Sequence, residues 1–62
     1  MTKINRQESA KALYYASMGY FDLAARTISS AIRSASSVKE RNELITAAAA
    51  YPAIVQHPEF LI

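Results

Sequence analysis

Backbone punctuation is nearly missing from this chain. Its 62 residues include one glycine, Gly19, and prolines only at Pro52 and Pro58. Glycine and proline are the strongest local interrupters of regular backbone. Their scarcity leaves long stretches free to run as helix, and helical periodicity fills those stretches. The expected fold class is therefore all-α. The chain reads as a single domain, a three-helix bundle built on an antiparallel helical hairpin, with an apolar C-terminal tail packed against it.

The first helix is expected over residues 5–18. Asn5 can cap it, and Glu8 three residues on can reach back, the reciprocal arrangement of a capping box. Ala10, Leu13, Tyr14 and Ser17 fall at helical spacing, and Ala12, Tyr15 and Ala16 widen the apolar face. Gly19 ends the helix because it accepts the left-handed conformation a C-terminal cap needs. The second helix is expected over 21–35, with Asp22 as its cap. Phe21, Ala24, Ala25, Ile28, Ile32 and Ala35 form an apolar stripe, and Arg26, Ser29, Ser30, Arg33 and Ser34 the opposite, polar face. A third helix, 37–51, opens with Ser37 and Glu40 as a second capping box and stops at Pro52. Its apolar positions are Val38, Leu44, Ile45, Ala47, Ala48 and Tyr51. The tail, 52–62, is too apolar to be a solvated end and is expected to pack.

Size makes the fold a demanding one. A domain this short buries only about 60% of the surface its unfolded chain exposes, and small folds commonly need a staple. With no cysteine there is no disulfide, and the single histidine, His57, cannot build a zinc site. Hydrophobic residues make up 52% of the chain, but twelve of them are alanines, each contributing little buried area. Self-association, as a homodimer or higher homo-oligomer, is the staple that remains.

Several function classes are disfavoured. The longest apolar stretch, Leu44 to Val55, is cut by Pro52 and falls well short of the roughly 20 residues a membrane span requires. No secretory signal opens the chain, so a cytoplasmic protein is expected. A Ser–His–Asp triad would need His57 and Asp22 to converge with one of seven serines, and no sequence context supports this. One glycine cannot make a phosphate-binding loop. No enzyme activity, cofactor or metal is expected.

Two constellations remain. Arg26 and Arg33 lie on one face of the second helix with Arg41 nearby, a set that suits phosphate contacts and a small dimeric DNA-binding regulator. The net charge of only +2 is mild for that role. Stronger is the aromatic set. Adjacent Tyr14 and Tyr15 cannot both point into a three-helix core, so one of them, with Tyr20, should reach the surface. Tyrosine offers apolar area and a polar tip and is enriched at protein interfaces. Tyr14, Tyr15, Tyr20, Phe60 and Leu61 are thus the candidate contacts for a protein partner, with Met18 alongside. A structural subunit of an open-ended assembly is a third possibility.

Tyr15, Gly19, Phe21, Ala24, Ile28, Ala31 and Ile32, with Ala12 at the helix-crossing position, stand at the spacing of one tetratricopeptide-repeat unit. The stretch Leu13 to Ile32 resembles that helical hairpin. Glu8 and Lys11 replace its large aromatic and leucine, and Ser36 its proline, so the likeness implies a repeat-like hairpin without a repeat array. The opening, Met1 to Ala35, resembles the small early-region proteins of lambda-like temperate phages encoded between the exonuclease and excisionase genes. That resemblance implies an accessory protein acting on host or phage regulatory proteins and biasing development toward lysis.

Overall fold

Among the described residues four helices follow one another: α1 (Lys3–Ser17), α2 (Phe21–Arg33), α3 (Val38–Ala49) and a short α4 (Pro52–Val55). The computed structural model describes residues 3–61, with side chains from Asn5 onward; Met1, Thr2 and Ile62 lie outside it. Among the described residues there is no strand, and the fold is an all-α bundle.

The α1–α2 connection is made by Gly19. Its φ of +84° lets the Tyr20 N–H return to the Tyr15 carbonyl at 2.9 Å and the Gly19 N–H to Ala16 at 3.0 Å. These two bonds satisfy carbonyls that the end of α1 would otherwise leave open. The helices then run antiparallel, since Asn5 near the start of α1 meets Ser34, the cap at the end of α2. α3 begins at this same end, with Glu40 beside Asn5. α2 is the central element, and α1, α3 and α4 all pack on it.

The core is Ala12 and Ala16 from α1, Ala24, Ala25, Ile28, Ala31 and Ile32 from α2, Leu44 and Ala48 from α3, and Ile54 from α4. Alanines at the crossing let the hairpin close tightly, while Ile28, Leu44 and Ile54 supply bulk. The folded surface is 3914 Å², close to the roughly 3,950 Å² expected of a folded monomer of this mass. A single copy therefore buries what a chain of its size ordinarily buries.

The local expectations are corrected at several points. Asn5 is not a cap: α1 already runs from Lys3, and the buried Asn5 side chain donates to Glu40 Oε1 at 3.1 Å and accepts from the Ser34 hydroxyl at 3.1 Å. No capping box with Glu8 exists. Asp22 lies in the first turn of α2, whose cap position is Tyr20 and has no side-chain bond; an acid there still complements the helix dipole. α2 ends at Arg33, short of Ala35.

In α3 only half of the expected box forms. Ser37 accepts from the Glu40 N–H at 3.1 Å, but the Glu40 carboxylate turns to Ser36, taking its backbone N–H at 2.7 Å and its hydroxyl at 2.6 Å. Val38, expected to be an apolar packing position, points outward. α3 ends at Ala49, two residues early, and Pro52 opens α4 at a position where its missing N–H costs nothing. Ser29 departs most from its expected place. Instead of facing water it is buried, and its hydroxyl oxygen accepts the Leu61 N–H at 2.9 Å.

Candidate interaction surfaces

The tail explains where the candidate residues end up. Beyond α4, Glu59 lies against Arg26 (Nε to Oε2, 3.6 Å) and Leu61 against Ser29. The tail thus follows α2 from its first half toward its C-terminus and covers Ser29. Arg26 is ion-paired, and of the two serines between it and Arg33, Ser29 is covered and Ser30 is exposed. Of the stripe expected to offer Arg26 and Arg33 as one face, the tail covers Ser29, while Arg26, Ser30, Arg33 and Ser34 stay exposed. Arg33 and Arg41 do come together, lining a groove at the C-terminal end of α2.

The five aromatic and aliphatic contact candidates separate into two groups. Tyr14, Tyr15 and Tyr20 gather at the α1–α2 turn. Helical geometry sets successive residues about 100° apart, so Tyr15 can pack against the core while Tyr14 swings out, and the two rings stay 6.3 Å apart, tilted by 48°. Tyr14 is 62% exposed and Tyr20 49%. Tyr15 is half-buried with the Lys11 ammonium 5.9 Å from its ring centroid, within cation–π range. Met18 and Leu23 are exposed as well. Tyr14 in the last turn of α1 and Met18 just after it stand four apart, and Tyr20 and Leu23 three apart across the start of α2. Four bulky exposed side chains thus lie near the α1–α2 turn.

Phe60 and Leu61 belong to the other end. Phe60 is half-buried and packs on the core, so most of its area serves the fold. Leu61 remains exposed at the groove with Arg33 and Arg41. Sequence reasoning passed over Leu23 and assigned Val38 inward, yet both are exposed. Leu23 sits off the α2 stripe, and that position was the available signal.

Little else on the surface has chemical organisation. His57 accepts the Glu59 N–H at Nδ1, 3.1 Å, inside a local turn. Among the described residues no three of His, Cys, Asp and Glu converge as metal ligands, and no helix is long and apolar enough to cross a membrane. Comparison with known protein families, curated proteins and solved structures gives no match.

Proposed function

We propose that this chain is a non-catalytic protein–protein interaction module, an accessory protein of temperate-phage type that acts in the host cytoplasm by binding a regulatory protein. The observation that carries the binding role is the exposed cluster at the α1–α2 turn. Tyr14, Met18, Tyr20 and Leu23 present bulky apolar surface on a molecule whose core closes without them. Aromatics with a polar tip are the residues most often found at the energetic centre of protein interfaces. The phage setting rests on the sequence resemblance alone. A second copy of the chain is another occupant this cluster would accept.

The DNA-binding alternative has less support, because the net charge is only +2 and the polar face of α2 gives up Ser29 to the tail. It predicts binding that weakens steeply with salt.

The test is an affinity pull-down from bacterial lysate, with and without nuclease, using the wild type and a Tyr14→Ser/Tyr20→Ser variant whose helicity is checked by circular dichroism. The proposal expects a protein that survives nuclease and is lost with the variant. Equal recovery by both proteins would reject the tyrosine cluster as the contact. Recovery that collapses on nuclease treatment would transfer the reading to nucleic acid.

A further inference from the structure

A second surface lies at the opposite end of the molecule and is independent of the tyrosine cluster. There α2 stops, α3 begins and the tail finishes around one open groove of about 570 Å³. Ile32 and Ala35 contribute apolar surface to it. Val38 and Leu61 form its lips, 74% and 38% exposed. Leu61 holds a φ of +52°, a conformation bulky residues seldom adopt, and its N–H is tied to the buried Ser29 hydroxyl oxygen. An uncommon backbone conformation beside a cleft is a pointer to function.

Among the described residues that line this groove, the charged ones are both cationic. Arg33 and Arg41 line it, and no described carboxylate does. Glu40, the acid nearest in sequence, is buried with its oxygens directed at Asn5 and Ser36. A guanidinium carries five donors in a planar fork, so it can engage a carboxylate bidentately even when another contact occupies part of the fork.

We propose that this groove docks a protein segment in which an apolar side chain is flanked by carboxylates. The apolar side chain would cover Val38 and Leu61 while the flanking acids meet Arg33 and Arg41. A nucleic acid fits less well. Phosphates would leave the apolar lips uncovered, and no aromatic ring lines the groove for a base to stack on.

Fluorescence anisotropy tests this with the full chain and a short fluorescein-labelled peptide alternating glutamate with leucine. Two comparison peptides replace glutamate by glutamine or leucine by serine. Binding of the glutamate–leucine peptide is expected, with both comparison peptides weaker. Arg41→Gln should weaken it on the order of tenfold, as loss of one charge-assisted contact implies, and Val38→Ser several-fold. Both positions are exposed, and circular dichroism checks that the fold persists. Tyr14→Ser/Tyr20→Ser should bind like wild type, which separates this result from that of the pull-down. The proposal fails if the peptide does not bind, if both groove variants bind as wild type does, or if the glutamate–serine peptide binds equally well. Displacement of the peptide by a single-stranded oligothymidine would also overturn it in favour of nucleic acid.

Discussion

Replacing Glu40 is the most informative perturbation of this fold. Its side chain is 2% exposed. Oε2 accepts from the Ser36 N–H and hydroxyl at 2.7 and 2.6 Å, and Oε1 from Asn5 Nδ2 at 3.1 Å, while Asn5 accepts from Ser34. One carboxylate thus joins the first turn of α1, the α2–α3 loop and the first turn of α3. Glu40→Ala removes the Asn5 amide's buried acceptor, whereas the Ser36 donors, nearer the surface, recover water. Hydrogen bonds to a charged group contribute about 1.5–3 kcal/mol each. Allowing for the rehydrated donors, the net loss should be roughly 3–4 kcal/mol. Total stability for a chain of this length is on the order of 3–9 kcal/mol, so the variant should melt lower by somewhere between about 12 and 30 °C.

Glu40→Gln separates shape from loss of the acceptor. Its carbonyl can keep the Ser36 donors while its NH2 faces Asn5. The Asn5 amide can turn over, and the Ser34 hydroxyl, able to donate or accept, follows. Only charge assistance is lost, at about 1–2 kcal/mol. Urea denaturation followed by far-ultraviolet circular dichroism measures both variants. A cost for Glu40→Ala below about 1 kcal/mol, or equal costs for the two, would refute the reasoning.

Other perturbations should rank as follows. Gly19→Ala should cost about 1 kcal/mol from backbone strain alone, because an added Cβ would meet nothing within 4 Å; Gly19→Asn should cost less, and urea midpoints would show the order. Ile54→Ala should cost about 2–5 kcal/mol, since this fully buried side chain seats α4, and proteolysis of the tail should quicken with it. Glu59→Ala should change stability by less than about 0.5 kcal/mol with no salt dependence, because its pair with Arg26 is long and both side chains are well exposed; a larger loss would mean that this ion pair holds the tail down.

What could be read locally was read correctly where one neighbourhood decides the outcome. Gly19 ends α1 because the needed φ and the two returning N–H groups lie within six residues. Ser37 caps α3 for the same reason. The α2 stripe was legible because Ala24, Ala25, Ile28 and Ile32 repeat at the helical period. Asn5 failed because its side chain has two valid uses, and the winning partner is 35 residues away. Ser29 failed because a polar residue on a polar stripe is reassigned only when the tail returns over it, 32 residues later. The groove was illegible for that reason too, since Arg33, Arg41 and Leu61 come from three segments that no single periodicity relates. Tyr14 and Tyr15 show the opposite case, where adjacency on a helix forces one ring outward whatever the tertiary packing.

Among the described residues, six of the ten buried hydrophobic ones are alanines, while Tyr14, Met18, Tyr20, Leu23, Val38 and Leu61 are exposed. Bulk cannot simply move inward: Ala12 and Ala24 are fully buried where the helices press together, and enlarging such positions costs about 1–3 kcal/mol in displaced neighbours. The fold therefore depends on small side chains, and its large exposed ones can be changed with little effect on it. Self-association through the tyrosine end would then leave the fold of a single copy intact, and concentration tests this. A melting temperature that rises with wild-type concentration should become concentration-independent in Tyr14→Ser/Tyr20→Ser, which should melt where dilute wild type melts. Unfolding of that variant at all concentrations would mean that the tyrosines belong to the core of an obligate assembly.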